Sequence, residues 1–394
     1  MDIPSFREDH ISQIPALQML VNLGYTYLSP IEADKQRGGK TTNVLLEDVL
    51  RKQLKEINSI KVSATKTSIF TDENIERGIL ALKNLPMNEG YIAASERAYN
   101  LLTLGHALEQ NVDSDKKSFT LQYIDWKNLG NNVFHVTEEF SVMRATSKEH
   151  YRPDLVLFVN GIPIYIIECK RPDMKEPLKQ AISQHLRNQQ EDGIRNLYVY
   201  SQLSLSIATQ EAAYATNGTP EKFWARWQEK FTSDAEEQNF KTTLNELKNI
   251  PLSPIIKDQL FADRFKYVRQ YFDNLEEEII LPTEQDNYLF GLCKPERLMD
   301  LIFNYILYDN GEKKVARYQQ FFAIKKTMQR LRNLEGGKRK GGVIWHTQGS
   351  GKSLTMVMLA QAIALEPSIR NPKIVLVTDR TDLDNQITNT FRKC

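Results

Sequence analysis

An α/β protein in two units is expected from this sequence, a mixed sheet with flanking helices followed by the start of a doubly wound sheet. Three observations lead there. From Phe134 onward, short apolar runs separated by turn residues bracket a polar helical stretch at 178–190, the pattern of a mixed sheet with a crossover helix. Near the C-terminus, Gly342-Val343-Ile344-Trp345-His346 runs through a glycine-rich turn into a helical pattern. Between them, residues 232–282 are polar and charged, broken by Pro251-Leu252-Ser253-Pro254 and Glu276-Glu277-Glu278, as a domain junction would be.

In chain order, apolar residues at three- and four-residue spacing predict amphipathic helices over 16–23, 44–57 and 92–108. Strands are predicted at 155–159, 162–167, 197–200 and 203–208. Helices over 298–307 and 318–334 precede a strand at 343–346, a helix over 353–365, a strand at 374–378 and a helix from Asp382. That βαβα order begins a doubly wound sheet. Two parallel strands cannot cover both their faces, so the chain is expected to stop inside a domain.

Composition narrows the class. At 394 residues the chain exceeds what one core usually supports, and 41% apolar with 26% charged residues is ordinary for a soluble globular protein. No apolar run is long enough to span a bilayer, and the N-terminus lacks the basic and apolar regions of a signal peptide. Cys169, Cys293 and Cys394 include no close pair, which argues for the reducing cytoplasm and against a disulfide framework or cysteine-bound zinc. A net charge of +1 gives no bulk signal for nucleic acid, so any DNA contact must be local. The densest basic stretch holds Lys325, Lys326, Arg330, Arg332, Lys338, Arg339 and Lys340, and reads equally as a phosphate contact or a solvated helix face followed by a Gly336-Gly337 turn.

Two segments carry chemistry. In Pro153-Asp154…Glu168-Cys169-Lys170, two apolar strands meet at Asn160-Gly161 and bear charges at their open end. Residues two apart on a strand share a face, so Glu168 and Lys170 project together. A strict two-residue turn would put Asp154 opposite Ile167, on the wrong face; a three-residue connection or a bulge near Pro163 is needed to set it opposite Glu168. Paired carboxylates suit Mg²⁺, which acidifies water, and a lysine beside them steadies charge developing on a phosphate. The alternative is a surface ion pair. His135 and His150 flank the hairpin and read as surface residues rather than ligands. In the second segment, Thr347-Gln348-Gly349-Ser350-Gly351-Lys352-Ser353, small residues let backbone N–H groups turn in around a phosphate, Lys352 reaches its oxygens, and the Ser353 hydroxyl can ligate Mg²⁺. His346 stands where the strict motif has its first glycine, and a glycine-rich turn capping a helix is the plainer reading.

The two segments together resemble the restriction (R, motor) subunit of type I restriction-modification enzymes, over nearly the whole chain. The resemblance includes Arg317-Tyr318-Gln319-Gln320-Phe321-Phe322-Ala323, similar to the family's glutamine motif, and Val375 through Asp384, similar to helicase motif Ia. It implies a PD-(D/E)xK endonuclease domain over 1–250, a helical linker over 251–285, and a truncated RecA-like P-loop domain over 286–394, the incomplete first motor domain of superfamily 2. By this resemblance Asp154 and Glu168 would be metal ligands and Lys170 the catalytic lysine. Lys352 and Ser353 would carry the phosphates and Mg²⁺ of ATP, and Gln320, with Arg317, would read adenine. The family's Q-x-x-x-Y motif falls on Gln184 to Asn188, with asparagine in place of tyrosine, which favours Gln184 and disfavours Asn188. Glu8 could complete the metal site or simply favour a helix dipole. The implied partners are double-stranded DNA and the methyltransferase (M) and specificity (S) subunits of a cytoplasmic complex, with no membrane. No Walker B box, second motor domain or arginine finger occurs in the sequence, so this chain alone is not expected to translocate DNA. Two rival readings stay open, a free-standing Mg²⁺-dependent nuclease with a regulatory nucleotide site and a non-catalytic nucleotide-binding assembly module.

Overall fold

The computed structural model describes residues 8–394 apart from 64, 114, 263, 264 and 380. At its centre six strands lie side by side in chain order: Thr26–Tyr27 (β1), Phe134–Glu138 (β2), Leu155–Val159 (β3), Ile162–Lys170 (β4), Leu203–Ala208 (β5) and Glu211–Ala215 (β6). The pairs β1–β2 and β4–β5 are parallel and the others antiparallel, which makes the mixed α/β sheet that the sequence predicts. Every residue of β3 and β4 is buried, so both faces of the sheet are covered there, and the two strands read as unbroken apolar runs for that reason. Among the covering helices are Ile14–Asn22 (α1), Glu47–Ile57 (α2), Tyr91–Leu104 (α3), Pro177–Asn188 (α4) and Arg195–Tyr200 (α5). The crossover between β4 and β5 is α4, which starts on Pro177 and buries Ala181, His185 and Asn188 at helical spacing.

The β3–β4 turn is fixed from several sides. Asn160 and Gly161 both take positive φ, 52° and 83°, as a tight two-residue hairpin requires. The Asn160 amide donates to Tyr123 O at 3.0 Å and to Asn132 Oδ1 at 2.8 Å, while its Oδ1 accepts from Val133 N–H at 2.9 Å. The Gly161 carbonyl accepts from Leu46 N–H at 2.8 Å, ahead of α2. Pro163 pairs with Phe158, but the next pair is Tyr165 with Leu157, so Ile164 is an extra residue in the strand. This is the bulge that the spacing requires, and it carries the register on to Ile167 opposite Leu155, which leaves Glu168 facing Asp154.

Several expectations are corrected. The helix over 92–108 ends at Leu104 with Gly105 at φ 80°, and the chain turns into a hairpin, His106–Val112 with Asp115–Leu121, whose exposed polar face hides its strand character. Residues 197–200 are not a strand: they lie in α5, and an apolar run this short is compatible with either element when buried. The helix begun at Pro295 ends at Tyr305 and gives way to a hairpin, Ile306–Asp309 with Glu312–Val315. Helices form over Tyr318–Arg332 (α6), Lys352–Leu365 (α7) and Thr381–Lys393. The strands expected at 343–346 and 374–378 do not form. Val343 is 94% and Val377 89% exposed, and neither segment has a ladder partner among the described residues. Arg380 of the motif Ia-like segment lies outside the described residues. The basic stretch is largely tied down within the chain. Arg330 donates to Gly341 O, Arg332 pairs with Glu366, Arg339 donates to Leu331 O and Ser368 O, and Lys340 pairs with Glu335 across the Gly336-Gly337 turn. No helix among the described residues is long and apolar enough to cross a membrane.

At Gly161 an added Cβ would lie 2.5 Å from Leu46 O and 3.0 Å from Leu50 N, both backbone atoms, at a φ that L side chains rarely adopt. Gly161→Ala is therefore expected to destabilise the fold by about 2–4 kcal/mol, read as a lower midpoint in urea unfolding with an unchanged slope. An unchanged midpoint would show that the turn is not under this constraint.

Candidate functional site

Asp154 enters β3, and Glu168 and Lys170 close β4 on the neighbouring strand. The bulge at Ile164 brings them together at one rim of the sheet. Asp154 Oδ2 accepts the Cys169 backbone N–H at 2.7 Å and lies 3.6 Å from Lys170 Nζ. Lys170 Nζ also donates to Cys169 O at 2.7 Å and reaches Glu8 Oε1 at 3.3 Å. From α4, Gln184 Nε2 donates to Glu168 Oε2 at 2.6 Å and Asn188 Nδ2 to Glu168 Oε1 at 3.3 Å. A separation of four residues puts Gln184 and Asn188 on one face of the helix, so both carboxylate oxygens of Glu168 are met from the same side.

Burial dominates the electrostatics. Glu168 is fully buried, and desolvation followed by the nearby Asp154 charge pushes its pKa well above the ordinary carboxylate range. Burial also raises Asp154, against the opposing pull of Lys170 and the Cys169 N–H, and it raises Glu8 in spite of the same lysine. For Lys170 burial pulls the pKa down, but the carboxylates of Asp154, Glu8 and Glu168 outweigh it and the ammonium is retained. The cluster thus sets three carboxyl groups against one cation. Either a proton or an added cation must offset the remainder.

The glycine-rich turn lies elsewhere on the chain. Gly349 and Gly351 have positive φ, 75° and 80°, and Gly351 is the N-cap of α7, whose first residues are an exposed Lys352 and a half-buried Ser353. Thr347 and Gln348 are exposed, and Ser350 Oγ donates back to Thr347 O at 2.8 Å. Gln320, on α6, uses both ends of its amide within the chain. Its Oε1 accepts the Arg317 N–H at 2.8 Å and its Nε2 donates to Gly351 O at 3.1 Å. A cavity of about 430 Å³ opens beside this turn, lined by Arg317, Gln320, Gly349, Ser350 and Gly351 together with residues that follow β6.

The structure therefore gathers Asp154, Glu168, Lys170 and Gln184 into one cluster, and gathers Arg317, Gln320 and residues 349–351 into another. Asn188, which the sequence disfavours, contacts Glu168, and Glu8, given two readings, is drawn to Lys170. A spacing of four from Gln184 was the available signal for Asn188; nothing in the sequence ties Glu8 to a position 162 residues away. His150 is an exposed residue bonded to Thr41, as expected. His135 is not a surface residue. It lies half-buried within β2, its Nδ1 has no partner, and desolvation lowers its pKa to about 4.

Residues 5–223 match the family model described as type I restriction enzyme R protein N terminus, and residues 319–394 match SWI2/SNF2 ATPase. A Methanocaldococcus jannaschii protein assigned as the MjaIXP type I restriction enzyme endonuclease subunit is 29% identical over 98% of this chain and 34% of its own length. The HindI type I restriction enzyme endonuclease subunit of Haemophilus influenzae is 28% identical over 98% of this chain and 32% of its own. The chain spans about a third of the length of these relatives. Since the first family match takes in more than half of the residues, this chain belongs to the type I restriction enzyme R protein family, in its N-terminal region.

Proposed function

We propose that this chain is the N-terminal part of an ATP-dependent type I restriction subunit, in which Mg²⁺-dependent hydrolysis of DNA phosphodiesters is coupled to ATP-driven translocation. In this reading residues 1–250 form a PD-(D/E)xK endonuclease domain, 251–285 a helical linker, and 286–394 the start of a RecA-like motor domain. The observation that carries it is the buried meeting of Asp154, Glu168 and Lys170. Hard oxygen donors beside uncompensated negative charge fit a divalent cation, and Asp154 and Glu168 are the side chains that would hold it. Water and a phosphate oxygen would complete its coordination. Once bound, the ion would supply positive charge against the phosphate and acidify water.

The chain's own residues do the rest. Gln184 and Asn188 orient Glu168. Lys170, kept charged by its carboxylate neighbours, faces the rim where charge develops on a cleaved phosphodiester. At the second cluster the α7 N-terminus and Lys352 receive the phosphates of ATP, with Ser353 towards its Mg²⁺. Gln320 braces the turn through Gly351, and it reads adenine only by exchanging one of its present bonds. Double-stranded DNA is the substrate, and methyltransferase and specificity subunits supply sequence recognition in the cytoplasm.

In the assembled complex, Glu168→Ala and Lys170→Ala are each expected to lower plasmid cleavage by at least about 10²-fold while ATP hydrolysis persists. Retained cutting in both variants removes Asp154, Glu168 and Lys170 from the chemistry, and cutting by the isolated subunit with Mg²⁺ alone would favour a free-standing nuclease. Conversely, Lys352→Ala abolishes ATP hydrolysis without changing Mn²⁺ binding at the hairpin; unchanged ATP turnover would exclude the turn as the phosphate site.

Cation binding is also linked to pH. Because the carboxyl pKa values are raised, a divalent ion displaces protons, and affinity tightens as pH rises through the raised range. For the cation-free protein the sign is the reverse. Folding takes up protons, so the cluster stabilises most below the unfolded carboxylate pKa and loses that contribution as pH rises. Calorimetric Mn²⁺ titration in buffers of different ionisation enthalpy is expected to show proton release, absent in Asp154→Asn. Binding without proton release would mean that the pair is already ionised.

A further inference from the structure

We infer that Gln13 is a positioning residue for Asp154: its buried side-chain amide fixes the main chain where Asp154 enters β3, and so sets the carboxylate at the rim of the sheet. This rests on the reading of Asp154 as a cation-holding carboxylate.

Asp154 stands one residue outside the ladder. Leu155 is the outermost residue of β3 that is paired, with Glu138 of β2 on one side and Ile167 of β4 on the other. Beyond it the Asp154 carbonyl accepts two bonds, from the Glu139 N–H at 3.1 Å and from Gln13 Nε2 at 3.1 Å. A carbonyl oxygen only accepts, so the Gln13 amide has to present its NH₂ group here. The second hydrogen of that group goes to Glu139 Oε1 at 3.3 Å. One side chain, itself only 3% exposed, thus ties the Asp154 main chain to the Glu139 carboxylate. At its other end Asp154 is held by the Cys169 N–H on Oδ2. Carbonyl and carboxylate are both pinned, and Gln13 supplies the one side-chain donor at the carbonyl end.

The backbone beside this contact is strained. Glu139 has φ 52°, a conformation that L side chains rarely adopt and that persists where surrounding bonds enforce it. Its N–H and its carboxylate are the groups bonded to Asp154 and Gln13.

Gln13 is aimed in turn by its neighbour. The π-helical turn Asp9–Gln13 leads into α1, and such turns are rare and concentrate at functional sites. Within it Ser12 Oγ donates to Gln285 Oε1 at 2.7 Å, and Gln285 Nε2 donates back to Ser12 O at 3.0 Å, both residues being buried. Adjacent side chains therefore face different ways, Ser12 toward the helix Glu284–Cys293 and Gln13 toward β3. Glu8, at the start of the same segment, reaches Lys170 on the far side of Asp154.

The test is calorimetric Mn²⁺ titration of the assembled complex without ATP, followed at the site that Glu168→Ala removes, with plasmid cleavage measured alongside. Gln13→Met keeps the length of the side chain and deletes both donated bonds. It is expected to weaken Mn²⁺ binding about 10- to 100-fold and to raise the half-saturating Mn²⁺ concentration for cleavage with it, while ATP hydrolysis is unchanged. Gln13→Glu, which sets a carboxylate against two acceptors, shifts both at least as far and serves if the methionine variant does not fold. A role in packing alone would lower the melting temperature and leave Mn²⁺ affinity in place. Wild-type Mn²⁺ affinity in the folded variants, alongside a Glu168→Ala control that neither binds nor cuts, overturns this inference and spares the nuclease reading. A Glu168→Ala control that still binds and cuts overturns both.

Discussion

One extra residue in a β-strand determines whether this protein has a charged cluster at all. Side chains alternate along a strand, so slipping the β3–β4 pairing by one position would send Asp154 to the face opposite Glu168. Ile164 absorbs the offset between a two-residue turn and the register that the carboxylates need. Both flanks of the bulge are buried apolar strand, held at one end by the Asn160 network and at the other by the Cys169 N–H bond to Asp154. The hydrophobic pattern and the polar bond thus favour the same register, and each slip would cost both.

Burying this cluster is unfavourable in itself. Desolvating a charge costs several kcal/mol even after relaxation, and here Asp154 and Glu168 are both removed from water. The surrounding bonds answer each group in kind. Asp154 has a backbone donor and a lysine; Glu168 has two amide donors from one helix face; Lys170 has a carbonyl acceptor and two carboxylates. Replacing such a site by apolar residues of equal volume would commonly be neutral or stabilising. On the proposed reading, chemistry at the rim of the sheet accounts for its form where stability does not.

Much of this is legible in the sequence. The Asn-Gly turn, the open-end charges and the mismatch between turn and register are local, and local rules led to the bulge. The helix after the hairpin is likewise local, and the Q-x-x-x-Y motif of the resemblance falls on it at Gln184. What escaped was non-local or context-dependent. Tyr198 sits in a four-residue apolar run that reads as strand; only the crowded crossover between parallel strands makes it helical and turns its hydroxyl toward His185. Asn188 was disfavoured by a motif, yet its amide reaches the carboxylate from the expected helical position. The strands expected at 343–346 and 374–378 failed for a different reason. Their sequence is strand-like, but a parallel strand is made by its neighbours, and these segments have none among the described residues.

The two clusters share more than a chain. The hairpin before α6 buries Lys313 completely against the central sheet, where its Nζ reaches Gln202 Oε1 at 2.7 Å, Ser201 O at 3.1 Å and Ser95 Oγ at 3.2 Å, and burial lowers its pKa well below that of an ordinary lysine. The Lys313 carbonyl accepts from Thr216 Oγ1, and the Ala316 carbonyl accepts from the Tyr214 hydroxyl. Arg317 follows at once, then Gln320, whose amide grips Gly351. Ser201 and Gln202 lead directly into β5, the strand that runs in register beside Glu168. The glycine turn is therefore held against the same sheet that carries the carboxylates, through one buried hairpin and one side-chain amide.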